Sequence, residues 1–151
     1  MQDYSEFTML MERVIHKFNQ WENKKRTYGT DDLLSKSEIH TIVAVGDNLG
    51  INITTLAEVL GITKGAASQM IYKLVDKGAV EKKVSPDSDT EVVLNLTNKG
   101  MKNYEAHNKY HQQANDKSLA LLKDMPESVY KSALEYLSSF ERNIDEILKE
   151  E

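Results

Sequence analysis

The stretch ITTLAEVLGITKGAASQMIYKLVDKGAV, Ile53–Val80, decides the fold. Thr55 followed by Glu58 has the spacing of a capping box, and Leu56, Val59 and Leu60 supply a short apolar face that Gly61 ends. After Ile62, Thr63 opens a second helix as N-cap, with Ala67, Met70, Ile71, Leu74 and Val75 inward and Gly78 as its stop. Two short helices thus meet across a tight turn, with Ala57, Gly61 and Ala67 standing where bulk would push them apart. The outward positions are Lys64, Gly65, Ser68, Gln69, Tyr72, Lys73 and Asp76. That face suits base edges: Gln pairs bidentately with adenine, Ser meets either base type or a phosphate, and Lys reaches guanine or the backbone. Thr63 and the free amides of the helix start suit a phosphate. A merely solvated helix shows the same polarity, so the neighbouring segments must decide between the two.

Downstream, Val80, Lys82 and Val84 alternate with charged residues, and Val92, Leu94 and Leu96 alternate again across the polar loop Ser85-Pro86-Asp87-Ser88-Asp89-Thr90. This predicts a two-stranded hairpin, a wing directly after the helix pair. Lys82 and Lys83 put positive charge at its base, and Ser85 and Ser88 are further candidates for backbone contact. Upstream, Ser35 with Glu38 makes another capping box before Ile39, Ile42, Val43 and Leu49, a helix ending near Gly50. Phe7, Leu10, Met11, Val14, Ile15, Phe18 and Trp21 predict an amphipathic first helix over about residues 3–25. From Thr97 a fifth helix runs to Asp124-Met125-Pro126, and Tyr130, Ala133, Leu134, Leu137, Phe140, Ile144, Ile147 and Leu148 stripe a sixth. The stripes of the terminal helices are left without a match.

With 151 residues and a 40% hydrophobic share, one domain can bury a sufficient core without disulfides or a structural metal. No cysteine is present, which excludes thiolate metal sites, cysteine nucleophiles and thiol redox switches. Apolar runs of about four residues fall far short of the roughly 20 that span a bilayer, and Met1-Gln2-Asp3-Tyr4 does not begin a signal sequence, so no membrane partner and a cytoplasmic location are expected. The net charge of −5 argues against a generic polyanion binder. Its distribution is uneven, however: residues 62–83 carry +3 and residues 116–151 carry −4, which steers an anionic partner toward one face. Nucleophile elbow, glycine-rich phosphate loop and dinucleotide fingerprint are all missing, so no enzyme is expected.

The order of these segments resembles the MarR family of winged-helix transcription regulators over nearly the whole chain. The resemblance is carried by Ile53 through Gln69, by Leu74-Val75-Asp76-Lys77-Gly78-Ala79-Val80, and by Leu96-Thr97-Asn98-Lys99-Gly100. It implies a mainly α fold with a small two-stranded β-wing. A single domain over 1–151 would hold a winged helix-turn-helix lobe at 35–97 and a helical dimerisation region at 1–30 and 98–151, about six helices in all. It further implies a homodimer on double-stranded DNA, a repressor on a pseudo-palindromic operator, and control by a small ligand bound between lobe and dimer helices, with no cofactor required. The family pattern has arginine next to an aspartate at the wing tip. Here Asp89-Thr90-Glu91 stands in that place, which implies weaker affinity, a wing confined to the backbone, or a dimeric interaction protein that has lost DNA binding.

Two further groups are candidates. His107 and His111 lie one helical turn apart, a spacing that suits two imidazoles on one divalent metal, with Glu38 and His40 able to approach from the second helix; solvated or interface histidines are the alternative. Zinc-sensing members of the family resemble this pairing. Trp21, Tyr28, Tyr104 and Tyr110, together with His40, are candidates for lining an effector pocket, the aromatics being otherwise dimer core.

Overall fold

The computed structural model describes residues 4–86, 88 and 90–150. Residues 1–3, Asp87 and Asp89 of the predicted wing loop, and Glu151 lie outside the described residues. In order, the elements are α1 (Ser5–Asn23), α2 (Lys36–Asp47), α3 (Ile53–Leu60), α4 (Lys64–Asp76), β1 (Val80–Val84), β2 (Val92–Leu96), α5 (Asn98–Lys123) and α6 (Glu127–Glu150). The mainly α fold with a two-stranded wing is therefore as expected. The strands pair antiparallel with Val80 opposite Leu96 and Val84 opposite Val92. Two compact units divide between Lys109 and Tyr110, within α5.

In the first unit, Leu34, Ile39, Ile42, Val45, Ile51, Leu56, Ile71, Leu74, Val80 and Leu94 form one buried cluster drawn from α2 and the segments flanking it, α3, α4 and the hairpin. Each Leu or Ile taken out of water there contributes about 1.5–3 kcal/mol before the cost of ordering the chain. Helix starts follow local chemistry. Ser35 and Glu38 form the expected capping box, and Thr63 Oγ1 accepts from Ala66 N at 3.2 Å to start α4.

Three expectations need correcting. The cap of α3 is Asn52, whose Oδ1 accepts from Thr55 N at 2.9 Å; Asn is the stronger cap, and it starts the helix before Thr55. Val59 and Val75, expected inward, are 53% and 39% exposed, because helices this short present only a narrow strip to the core. Ala57 and Ala67 are buried where the helices meet, but a Cβ at Gly61 would meet nothing within 4 Å. Gly61 serves the backbone instead, adopting φ +64° as the left-handed residue that ends α3.

The wing is fastened at both sides. Leu94 N donates to Ile51 O at 2.8 Å, and Thr97 holds the start of α5 by donating from N to Ala79 O and from Oγ1 to Gly78 O at 2.6 Å. Gly100 passes so close that a Cβ there would overlap the Ala79 carbonyl oxygen. Between α1 and α2, Arg26 and Leu34 exchange two backbone hydrogen bonds, and the buried Asn103 Nδ2 donates to Thr27 O, Tyr28 O and Thr30 Oγ1.

In the second unit, α6 has no buried residue. Tyr130, Leu134, Leu137, Ile144, Ile147 and Leu148 all lie exposed along it.

Candidate nucleic-acid interface

The capped start of α4 and its buried side, Ala67, Ile71 and Leu74, fix which face of the helix turns outward. Lys64, Gly65, Gln69, Tyr72 and Lys73 are exposed, and Tyr72 is 74% so. The side chains of Lys64, Gln69, Tyr72 and Lys73 make no hydrogen bond or ion pair with other described residues. Ser68, expected outward with them, is half-buried on the flank of the face. The Thr63 hydroxyl spends its acceptor side on the helix cap and keeps a proton to donate. The result is a convex, cationic surface of side chains long enough to reach into a groove about 8.5 Å deep.

The wing carries less free charge than its composition promises. Lys82 is exposed, whereas Lys83 pairs with Glu81 at 2.6 Å. Ser88, half-buried, accepts from Glu91 N at 3.3 Å and from Thr90 N at 3.5 Å, so its hydroxyl shapes the loop. Ser85 N closes the loop on Glu91 O at 2.7 Å. Glu91 Oε1 accepts from Asn52 Nδ2 at 2.8 Å, a contact across 39 positions that no local pattern announces.

The histidine candidates are partly brought together. The rings of His40 on α2 and the buried His107 on α5 meet edge to face at 5.6 Å, and Tyr28 packs on His107 at 5.5 Å. His111 follows His107 by one turn of α5 and is half-buried. Glu38 is otherwise engaged: Oε2 accepts from Ser35 N at 2.8 Å and Oε1 from Lys77 Nζ at 2.7 Å. Burial pushes its carboxyl up, but the hydrogen bonds from Lys77 and Ser35 outweigh that and hold it below the ordinary value. To bind a metal, Glu38 would have to turn one of these oxygens away from its partner or share it.

The aromatic candidates separate. Trp21 packs with Phe18 and under the Arg26 guanidinium, at 5.5 and 5.6 Å. Tyr104 donates to Asp47 Oδ1 at 2.6 Å, and that carboxylate raises its pKa. Tyr110 packs edge-on against His111. A cavity of about 200 Å³ does reach His40, but its other walls are Lys36, Ser37, Thr41, Leu60, Ile62 and Met70. None of those six was a pocket candidate in the sequence, where Leu60 and Met70 read only as core positions, since they come together only when α2 packs against the helix-turn-helix.

Residues 34–88 match the MarR family. Over 123 residues, covering 74% of this chain and 70% of the relative, the chain is 32% identical to an uncharacterized HTH-type transcriptional regulator, YhjH, of Bacillus subtilis. Among solved structures, FabT of Streptococcus pneumoniae in complex with DNA is similar at TM-score 0.73 and 21% identity, covering 96% of this chain and 99% of that one. ZitR of Lactococcus lactis, a zinc-responsive MarR family member, is similar at TM-score 0.73 and 15% identity, covering 91% and 99%. No described helix is long and apolar enough to cross a membrane. The family match runs through α2, α3, the exposed face of α4 and β1, and the chain belongs to the MarR family of HTH-type transcriptional regulators.

Proposed function

We propose that the protein acts in the cytoplasm as a homodimeric repressor, without catalytic activity, laying one α4 in the major groove at each half of a pseudo-palindromic operator. The observation that carries this reading is the set of exposed, uncommitted side chains on α4: Lys64, Gln69, Tyr72 and Lys73. The likeness to FabT bound to DNA supports it. Phe7, Leu10, Val14, Ile15 and Phe18 on α1, and the apolar stripe of α6, are exposed in the single chain. A second copy would cover them. Half-sites then lie about one helical turn apart.

Titration against duplex DNA across salt concentrations tests the proposal. Each phosphate neutralised contributes roughly −0.9 to the log–log salt slope. Absence of binding at every salt concentration would favour a dimeric interaction protein that does not use DNA.

A second reading, control by a divalent metal, is favoured by the His40–His107 ring contact. Two imidazoles on one tetrahedral zinc, with Zn–N of about 2.0–2.1 Å, hold their ring centres ~5 Å apart. The 5.6 Å separation is close to that, and His111 offers a third nitrogen from the next turn of α5. The likeness to zinc-responsive ZitR supports the same reading. In it, these histidines would hold the ion, and the ion would link α2 of the lobe to α5. An organic effector remains the other form of ligand control, and equilibrium dialysis with zinc, manganese and nickel separates the two.

A further inference from the structure

The loop that joins the two strands, Ser85–Glu91, contains three acids and no base. A minor groove, most of all a narrow A·T-rich one, has a strongly negative potential that draws in Arg or Lys and repels carboxylates. Among the described residues of this loop, Ser88 and Glu91 turn their side chains to internal work. Ser88 Oγ accepts from the amides of Thr90 and Glu91, and Glu91 Oε1 is held by Asn52 Nδ2 at 2.8 Å. Asn52 faces two ways, because its Oδ1 caps α3 through Thr55 N at 2.9 Å. Through that one amide the wing is fastened to the helix that packs on α4.

We infer that the wing of this protein braces the helix-turn-helix instead of reading the minor groove, with the Glu91–Asn52 hydrogen bond as the brace, so that base discrimination rests on α4 in the major groove. The inference rests on the proposed DNA binding and adds where sequence is read. Glu91 and Asn52 are positioning residues. They set the pose of α3, and through it that of α4, without touching a base.

The test uses the full chain and duplexes recovered from a random pool. Inosine in place of guanine removes the minor-groove amino group and leaves the major-groove edge intact, whereas 7-deazaguanine removes the major-groove N7. Inosine duplexes should bind within about twofold of the parent, and 7-deazaguanine at a contacted guanine should weaken binding by roughly 5- to 150-fold. For the brace, Asn52→Ser keeps a capping oxygen and loses the Nδ2 amide that reaches Glu91, the shorter hydroxyl staying at the cap. It should weaken binding to every recovered sequence by roughly 2- to 12-fold, and should have no effect in a Glu91→Ala background.

Tenfold or greater sensitivity to inosine would overturn the inference, as would an equal cost of Asn52→Ser in both backgrounds. Wild-type protein that binds no duplex at any salt would overturn the DNA reading itself, an outcome distinct from either.

Discussion

Replacing Glu38 with alanine removes two acceptors at once. Ser35 N loses its side-chain partner at the start of α2, and Lys77 Nζ loses a carboxylate at 2.7 Å. Loss of a cap costs about 1 kcal/mol. A hydrogen bond between charged groups contributes about 1.5–3 kcal/mol when desolvated. Here the carboxylate side chain is 12% and the lysine 28% accessible, and Lys77 keeps Leu33 O at 3.2 Å, which favours the low end. The expected loss is therefore about 2.5 kcal/mol, or roughly 5–10 °C in Tm for a chain this long. Thermal and urea unfolding at pH 7 and fixed protein concentration measure it, and Glu38→Gln, which keeps an acceptor but not the charge, should recover about half.

The pH dependence has a definite sign. A carboxyl held below its unfolded value of 4.5 stabilises the fold above that value, and the benefit is lost as pH falls through the lower, folded value. The gap between wild type and Glu38→Ala should stay constant from pH 6 to 8 and narrow below about 4.5. A loss under about 0.5 kcal/mol would refute the reasoning. So would a gap that closes between pH 6 and 8, where histidines titrate, because Glu38 would then belong with His40 and His107.

Gly100→Ala should destabilise by about 3 kcal/mol or more in urea unfolding, since its Cβ would meet the Ala79 carbonyl oxygen that Thr97 N already uses, and backbone cannot give way cheaply. Gln69→Ala should relax preference at one base pair by about 1–3 kcal/mol in competition binding, whereas Lys73→Ala should weaken all sequences alike and lower the salt slope by about one. Lys83→Ala should change that slope less than Lys73→Ala, because Lys83 is paired with Glu81. If metal control holds, His107→Ala should reduce zinc retention in equilibrium dialysis at least tenfold while Glu38→Ala leaves it unchanged; equal retention by wild type and His107→Ala would exclude the histidine site.

Much of the lobe was legible because its signals are local. A Ser-x-x-Glu pair, a Thr before a small-residue helix, and two alternating strands each act within a few positions. What escaped the sequence is long-range or graded. The partners of Glu38 and Glu91, Lys77 and Asn52, both lie 39 positions away, and no spacing rule finds them. Thr55 matched the capping pattern as well as Ser35 did, yet Asn52 wins because a free Asx oxygen just upstream starts the helix sooner. Val59 and Val75 show the limit of periodicity in helices of two to four turns, where the edge of an apolar stripe does not tell inside from outside. On α4 the outward set was readable except for Ser68, which sits at that same edge. Residue type alone marks the aromatic candidates, and type does not reveal that Tyr28 turns to His107 while Tyr104 turns to Asp47.

The most direct measurement of the central claim is selection of bound duplexes from a random-sequence pool by the purified protein, at low and at moderate salt, followed by sequencing. Two copies each reading DNA with α4 predict an inverted repeat with half-sites about one helical turn apart, enriched at both salts. No enriched repeat at either salt would contradict it.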